Sequence, residues 1–318
     1  MTNPVSWQRG MIAGLRQSAA LLRSATPLLC AALILLCTAT PMALWAQPPA
    51  QPSRRTVSPS SPIVKNVSFH SAALNRDMRY RLYLPHHYLA TTRRYPVLYL
   101  LHGLFGNYQN WDTLTHLASH VSGMDWIIVM PDAGDSWYTN SASVPKDKFE
   151  DYVARDLVAE VDGRYRTIPD RQARAIAGLS MGGYGAVKFA LRYPHSFAFA
   201  ASLSGALDAA RDLDSRLPEF TPKLVEVFGA PGNPTRAHND IFQLLPKSAP
   251  DELPYLYLAC GSEDRFLLVN RDFVSELARR HIRYEYRENP GTHDWAYWDR
   301  EITPLLSAMQ NQISQRSY

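Results

Sequence analysis

The most informative segment of the chain is Ala175-Ile176-Ala177-Gly178-Leu179-Ser180-Met181-Gly182-Gly183-Tyr184-Gly185. A short apolar run leads into Gly178-x-Ser180-x-Gly182, and a run compatible with a helix, 186–192, follows it. This order predicts a strand, a tight turn and a helix. A serine on such a turn is held in a strained conformation with its Oγ exposed, and the flanking glycines let strand and helix approach each other closely. Ser180 is therefore the candidate nucleophile.

Outward from this turn, predicted strands and helices alternate along the chain. The apolar and polar alternation over 63–83 predicts two antiparallel edge strands, and continuous apolar runs predict strands covered on both faces. The further predicted strands span residues 95–101, 126–130, 174–179, 197–203, 254–260 and 282–286. The pattern predicts an α/β domain with a mostly parallel central sheet and helices on both faces. Ligand sites in such sheets lie at the carboxyl ends of the strands.

The predicted helices lie between these strands. They span residues 111–121, 149–165, 269–281 and 295–313. The segment 149–165 has the apolar spacing of an amphipathic helix, with Val153, Leu157 and Val161 on one face. The segment 207–250 is irregular and broken by prolines. We expect it to form a helical or loop insertion that covers the site.

The N-terminal segment is typical of a leader. Residues 1–27 carry three arginines and no acid, and residues 28–46 are almost wholly apolar, which predicts a secretory signal peptide ending at Ala46. An uncleaved membrane anchor is the alternative, because the run is nearly long enough to span a bilayer. Residues 47–62 are rich in proline and serine and predict a linker. The folded domain is predicted over 63–318, in a protein exported to the periplasm or secreted.

Charge and cysteine content exclude several partners and sites. The formal net charge is +4, and loss of the three leader arginines leaves 30 basic against 29 acidic residues. This balance gives no electrostatic basis for nucleic-acid binding, and membrane association is expected only if the leader stays uncleaved. Cys260 is the only cysteine beyond the leader, so no intramolecular disulfide is expected. No phosphate-binding loop, dinucleotide fingerprint or metal-spaced cluster is present in the sequence, so no cofactor and no metal is expected.

A serine nucleophile needs a base to take its proton and an acid to orient that base. His293, in the loop that leaves the last strand, is preferred over His281, which lies at a basic helix end. The acid is expected directly after strand 254–260, where Glu263 and Asp264 are both available. The 29 residues that separate Asp264 from His293 fit one helix and one strand. Such a connection would bring both side chains to the same edge of the sheet.

Negative charge that develops on a substrate oxygen needs backbone N–H donors. Met181, directly after the nucleophile, is one candidate donor, and Leu104, in the loop after the first buried strand, is the other. Trp137 and Trp295 are the preferred candidates for the substrate pocket, because they flank loops at the strand ends. Further aromatic candidates are Trp111, Tyr138 and Trp298.

Five segments together carry a resemblance to a known family over about residues 65 to 312. They are Leu100-Leu101-His102-Gly103-Leu104; Pro131-Asp132 with Ser136-Trp137-Tyr138-Thr139; Gly178-Leu179-Ser180-Met181-Gly182-Gly183; Gly261-Ser262-Glu263-Asp264; and Pro290-Gly291-Thr292-His293-Asp294-Trp295 with Trp298. On these segments the chain resembles the esterase D family of serine hydrolases. That family includes tributyrin-type, feruloyl and acetyl-xylan esterases, S-formylglutathione hydrolases and the antigen 85 mycolyltransferases.

The resemblance implies an α/β-hydrolase fold and a triad of Ser180, Asp264 and His293. It also implies that the N–H groups of Leu104 and Met181 are the oxyanion donors. The family's acid is the aspartate that closes a Gly-Ser/Thr-x-Asp pattern, so the resemblance favours Asp264 as the acid.

Two departures from the family bear on the substrate. The loop after Gly103 lacks the cysteine-containing pattern of S-formylglutathione hydrolases, and His102 stands where the mycolyltransferases carry aspartate. The predicted function is an exported serine carboxylesterase that hydrolyses short-chain esters through an acyl-enzyme on Ser180. Its substrate would be a small-molecule, carbohydrate or lipid ester. The alternatives are an acyltransferase of the mycolyltransferase type with the same triad, a feruloyl or acetyl carbohydrate esterase, and a non-catalytic binding protein on the same scaffold.

Overall fold

The computed structural model describes residues 61–314, so the predicted signal peptide and most of the predicted linker lie outside the described residues. Eight strands form one sheet in the order β1-β2-β4-β3-β5-β6-β7-β8. They are β1 (Ile63–Ser71), β2 (Arg76–Leu84), β3 (Val97–Leu101), β4 (Ile127–Pro131), β5 (Arg174–Leu179), β6 (Phe199–Leu203), β7 (Tyr255–Gly261) and β8 (Tyr284–Asn289). The pairs β1–β2 and β2–β4 are antiparallel, and the other neighbours are parallel. The predicted mostly parallel sheet with an antiparallel edge is confirmed.

Helices occupy most of the connections between these strands. The α-helices are α1 (Asn110–Thr113), α2 (Leu117–His120), α3 (Phe149–Asp151), α4 (Val158–Arg164), α5 (Met181–Arg192), α6 (Leu213–Arg216), α7 (Thr221–Phe228), α8 (Pro234–Asn239), α9 (Ile241–Leu244), α10 (Leu267–Arg279) and α11 (Trp295–Ser314). Short 3-10 turns lie at Tyr88–Ala90, Arg171–Ala173, Pro218–Phe220, Leu245–Lys247 and Pro250–Glu252. None of the helices in the described range is both long and apolar enough to cross a membrane.

The sheet separates two hydrophobic cores, and β3 shows how the sequence produces them. Val97, Tyr99 and Leu101 point to a core that also contains buried residues of α5 and α10. Leu98 and Leu100 point to the opposite core, which contains buried residues of α11. Successive side chains of a strand face opposite sides of the sheet, so a strand with helices on both faces must be apolar throughout. This explains the uninterrupted apolar run that the sequence shows here.

The predicted helix 111–121 is wrong as a single element. The structure has two four-residue helices, α1 and α2, with a break between them. At the break the Thr115 hydroxyl donates to the Trp111 carbonyl, and the Leu117 amide donates to the Thr115 Oγ at 3.1 Å. A threonine side chain that bonds to nearby backbone groups competes with the helical hydrogen bonds and ends the first helix.

Two other predicted segments have a finer structure than the sequence indicates. The predicted helix 149–165 forms as α3, a π-helical segment at Tyr152–Leu157, and α4. In a π-helix, backbone hydrogen bonds join residues five positions apart. Tyr152 and Leu157 are five positions apart, and both side chains are fully buried. The segment 207–250 consists of the short helices α6 to α9, 3-10 turns and loops, as the prolines predict.

Candidate active site

Ser180 occupies the turn between β5 and α5. Its φ of 53° and ψ of −117° lie outside the regions that L-residues adopt readily. The last residue of β6 and the loop that follows it hold this turn in place: the Ser180 N–H donates to the Leu203 carbonyl at 2.9 Å, and the Ala206 N–H donates to the Ser180 carbonyl at 3.2 Å. These bonds stabilise the strained backbone, which presents the serine hydroxyl at the carboxyl edge of the sheet.

The two glycines that flank Ser180 are required by close backbone packing. A Cβ on Gly178 would lie 2.5 Å from the carbonyl carbon of Gly182. A Cβ on Gly182 would lie 2.6 Å from the carbonyl oxygen of His102. Both neighbours are backbone atoms and cannot rotate away. The Gly-x-Ser-x-Gly pattern therefore permits β5, α5 and the loop after β3 to pack against one another around the serine.

We expect Gly182→Ala to lower the free energy of unfolding by about 1–3 kcal/mol, because the added methyl group overlaps the His102 carbonyl. Urea unfolding measures the change. The matched control is Gly163→Ala in α4, where no atom lies within 4 Å of an added Cβ. That substitution should be neutral or stabilise the fold by up to about 1 kcal/mol, since alanine is the better helix former. Equal effects of the two substitutions would contradict the close-packing explanation.

His293 lies between Ser180 and Asp264 and is hydrogen bonded to both. Its Nε2 is 3.0 Å from Ser180 Oγ, and its Nδ1 is 2.8 Å from Asp264 Oδ2. With Asp264 ionised, Nδ1 carries the proton and Nε2 is free to accept the serine proton. The rings of Phe266 and Trp298 pack edge-on against the imidazole, with centroid distances of 5.0 and 4.9 Å. These contacts restrict the rotation of the imidazole ring.

Direct bonds between two loops bring the acid to the histidine. The Ser262 N–H donates to the Asn289 carbonyl at 2.9 Å, and the Glu263 N–H donates to the Gly291 carbonyl at 3.0 Å. A Cβ on Gly261 would lie 2.2 Å from that same Gly291 oxygen. Because β7 and β8 are parallel neighbours, their carboxyl ends meet, and these bonds align the two loops that follow them.

The Asp264 carboxylate is buried, yet it remains ionised. Burial raises the pKa of Asp264, but the hydrogen bond from His293 and that from the Phe266 amide, at 2.8 Å, outweigh this, and the pKa lies below its ordinary value. The side chain of Asp264 is 0 % exposed. Glu263, by contrast, is exposed. His281, the other histidine considered above, is exposed at the end of α10.

The candidate oxyanion donors lie on two segments that meet beside Ser180. Met181 is the first residue of α5, so its N–H has no carbonyl partner within the helix. Leu104 follows β3 in the loop against which Gly182 packs. Within residues 61–314, the Leu104 N–H also donates to no protein acceptor. Both amides are therefore available to an oxygen atom beside the serine.

A cavity of about 320 Å³ opens over Ser180 and His293. Trp137 and Trp295, the preferred pocket candidates, both line it, as does Trp298. Trp111 and Tyr138 lie outside the lining. The Trp111 indole donates to the Leu101 carbonyl at 3.0 Å. Sequence reasoning missed the lining residues Phe105, Asn110, Leu114, Phe220, Arg265 and Phe266. Of these, Arg265 and Phe266 directly follow the Asp264 carboxylate, and this adjacency is the signal that could have indicated them.

Among residues 61–314, no group of three or more histidine, cysteine or acidic side chains has the arrangement of a metal site. Cys260 is buried at the end of β7, and burial raises the pKa of its thiol well above the ordinary range. The cavity brings the serine hydroxyl and the imidazole together beside the two backbone amides. This set suits acyl transfer.

An eight-stranded, mostly parallel sheet with a Ser–His–Asp series at its carboxyl edge defines the α/β-hydrolase fold of the serine hydrolases. A family model described as "Putative esterase" matches residues 71–309. The chain belongs to this esterase family and is a carboxylic ester hydrolase.

Individual proteins show the same relationship. An acetyl esterase of Caldicellulosiruptor saccharolyticus is 28% identical over 220 residues, which cover 67% of this chain and 82% of the relative. An esterase of Mycobacterium tuberculosis is 32% identical over 250 residues, 71% of this chain and 54% of the relative, so the chain spans about half the length of that protein. The substrate-bound fluorophosphonate-binding serine hydrolase F of Staphylococcus aureus superposes with a TM-score of 0.71 at 26% identity, covering 78% of this chain and 98% of that one.

Proposed function

We propose that the chain is a serine carboxylesterase that hydrolyses short-chain esters through an acyl-enzyme on Ser180. The observation that carries the proposal is the hydrogen-bonded series of Ser180, His293 and Asp264, with distances of 3.0 and 2.8 Å. It supplies a nucleophile, a base within reach of the nucleophile's proton, and an acid that orients the base. The similarity to esterases supports an ester as the bond that is attacked.

In the acylation step, Ser180 Oγ attacks the ester carbonyl carbon while Nε2 of His293 takes the hydroxyl proton. Asp264 stabilises the imidazolium through the bond to Nδ1–H. The carbonyl oxygen becomes an oxyanion, for which the N–H groups of Leu104 and Met181 are the proposed donors. The tetrahedral intermediate then collapses: the bond from the carbonyl carbon to the alcohol oxygen breaks, and His293 gives its proton to the leaving alcohol.

Deacylation repeats these steps with water as the nucleophile. His293 takes a proton from water as the water oxygen attacks the acyl carbon, and the same amides stabilise the second oxyanion. The bond from the acyl carbon to Ser180 Oγ then breaks. The proton held by His293 returns to Oγ, and the carboxylic acid leaves.

The size of the cavity supports a short acyl group. Its volume is about 320 Å³, and the covering segment 207–250 contributes the Phe220 ring to its lining. The mouth is bordered by Phe105, whose ring centroid lies 6.4 Å from that of Phe220. Each added methylene of an acyl chain contributes about 0.8 kcal/mol only when it is buried. Methylenes that project beyond the cavity contribute no binding free energy.

With p-nitrophenyl esters, we expect kcat/KM to be highest at short acyl chains, about two to six carbons, and to fall beyond them, because later methylenes stay in water. The measurement is a steady-state series in which only the acyl chain varies. Because p-nitrophenol is the leaving group throughout, the esters differ only in the acyl group. Activity that rises steadily to long chains would exclude this substrate class. Dominant acyl transfer to added glycerol or trehalose, measured by product analysis, would establish the acyltransferase alternative instead.

We also propose export, on the basis of the arginine-bearing, then apolar, leader at 1–46. Mass spectrometry of the native protein from the periplasm or culture medium is expected to give an N-terminus near Gln47. Recovery of a full-length chain from the membrane fraction would favour an uncleaved anchor.

A further inference from the structure

A fully buried cation, Lys188, lies in the nucleophile helix α5 and takes no part in the proposed chemistry. Its ammonium group lies within hydrogen-bonding distance of four acceptors, each from a different residue. These are the Tyr138 carbonyl at 2.7 Å, Thr139 Oγ at 2.7 Å, Glu150 Oε2 at 2.9 Å and Asn239 Oδ1 at 3.3 Å. Two of the four belong to the loop after β4 that also carries the cavity residue Trp137.

Glu150 neutralises this buried charge. Burial raises the pKa of Glu150, but Lys188 and Arg192 outweigh that effect, and the pKa lies below its ordinary value. Its second oxygen, Oε1, accepts from Arg192 Nε at 2.8 Å and from the Tyr193 hydroxyl at 2.9 Å. Replacing such a pair with apolar side chains of similar volume is often neutral or stabilising. Fold stability alone therefore gives no sufficient reason for a lysine at this position.

The loop that Lys188 binds is strained. Trp137 and Tyr138 both have a φ of 53°, which is unfavourable for bulky side chains. The Thr139 hydroxyl donates to the Trp137 carbonyl at 2.8 Å while it accepts from Lys188. The ammonium thus acts on both strained residues, on Tyr138 directly and on Trp137 through Thr139. Without these bonds the loop would be expected to relax toward ordinary φ values.

The strained loop in turn contacts the segment that carries the Leu104 amide. The Tyr138 hydroxyl donates to the His102 carbonyl at 2.8 Å. The His102 ring makes the second link: its Nε2 accepts from the Ala133 N–H at 3.0 Å, so its proton lies on Nδ1, which donates to the Gly103 carbonyl at 2.8 Å. Burial lowers the pKa of His102, which keeps this ring neutral. The two residues that precede Leu104 are therefore held by the loop after β4.

Glycine at 185 lets the tyrosine reach this position. A Cβ at Gly185 would lie 2.8 Å from Cδ2 of the Tyr138 ring. The ring consequently packs directly on α5, and its hydroxyl reaches the loop after β3. Helix α5 therefore has the candidate nucleophile Ser180 at its N-terminus. Farther along the same helix, Gly185 and Lys188 contact Tyr138, which in turn bonds to the loop that carries Leu104.

We propose that Lys188 and Tyr138 are positioning residues that hold the Leu104 N–H at the oxyanion site through the strained loop and the His102 carbonyl. The inference rests on the proposed function, because it assigns Leu104 to the oxyanion. Neither side chain touches the reacting atoms. Their removal should therefore weaken transition-state stabilisation more than ground-state binding.

Tyr138→Phe is the decisive variant, since it removes one hydroxyl and keeps the packed ring. With p-nitrophenyl butyrate and the full chain, we expect kcat to fall about tenfold or more while KM stays within about twofold. The Ki of a butyl trifluoromethyl ketone, whose adduct with Ser180 carries an oxyanion, should rise by the same factor as kcat/KM falls. Lys188→Met should produce the same pattern with a larger loss of kcat.

The matched control is Tyr257→Phe on β7, a fully buried tyrosine whose hydroxyl has no hydrogen-bond partner among the described residues. Its kcat, KM and Ki should equal those of the wild type. A Tyr138→Phe enzyme with kcat within about twofold of wild type would overturn the inference, even if Lys188→Met fails to fold. If turnover depends on Ser180 and Tyr138→Phe has no effect, the proposed function stands and the inference fails. Turnover that survives Ser180→Ala overturns both.

Discussion

Ser180→Ala is expected to lower kcat/KM for ester substrates by roughly three or more powers of ten, the scale found for loss of a triad nucleophile. The substitution deletes the one oxygen that lies 3.0 Å from His293 Nε2. Little packing is lost, and alanine can occupy the strained turn as well as serine does. The melting temperature should therefore stay close to that of the wild type. Steady-state kinetics and thermal unfolding of the purified variant measure both quantities.

An exposed serine provides the control for Ser180→Ala. Ser275 lies on α10, and its hydroxyl donates only to the Arg271 carbonyl of its own helix among the described residues. Ser275→Ala should retain the wild-type kcat and KM. Activity of Ser180→Ala within about tenfold of the wild type would remove Ser180 from the mechanism. That outcome would leave the esterase family assignment intact and require a different nucleophile in the cavity.

Asp264→Asn should have the second largest effect, a loss of roughly three to four powers of ten in kcat. The asparagine amide can donate to His293 Nδ1, which favours the tautomer with the proton on Nε2. That tautomer cannot accept the serine proton. The variant also lacks the buried negative charge that stabilises the imidazolium. Because the side chains are nearly equal in volume, the cavity and the fold should be unchanged.

The neighbouring carboxylate supplies a matched test of this assignment. Glu263→Gln removes a charge one residue away, on an exposed side chain. Its kcat should stay within about twofold of the wild type, since surface charges this exposed contribute little. If Glu263→Gln is the damaging substitution, Glu263 rather than Asp264 orients the base, and the loop after β7 must rearrange in solution.

The parts of the fold that could be predicted are those set by local patterns. The predicted strand 174–179 is β5 at the same residues, because an apolar run followed by a glycine turn leaves few alternatives. The predicted edge strands of 63–83 are β1 and β2. The break at Thr115 could not be predicted from hydrophobic spacing. It depends on a side-chain bond that competes with the helix backbone.

The Lys188 site shows why other features of the structure could not be predicted from the sequence. A lysine within the apolar run of α5 is a visible anomaly, but its four acceptors come from positions as far as 51 residues away. Strand order creates a similar problem: β4 lies between β2 and β3 in the sheet. Neither arrangement follows from local spacing, because each depends on which segments pack together once the whole core has formed.

The class of fold and the kinds of group at the edge of the sheet could be read from the amino-acid sequence: a serine on a glycine turn, a late histidine and an acid after a strand. These follow from short-range rules of backbone geometry and burial. Which of these atoms come into contact depends on the packing of the whole domain. It brings Asp264 to 2.8 Å from His293 and leaves Glu263 in solvent, although the two are adjacent in the chain. Loops that follow neighbouring parallel strands bond to each other, and the register of these bonds directs the Asp264 carboxylate inward and the Glu263 carboxylate outward.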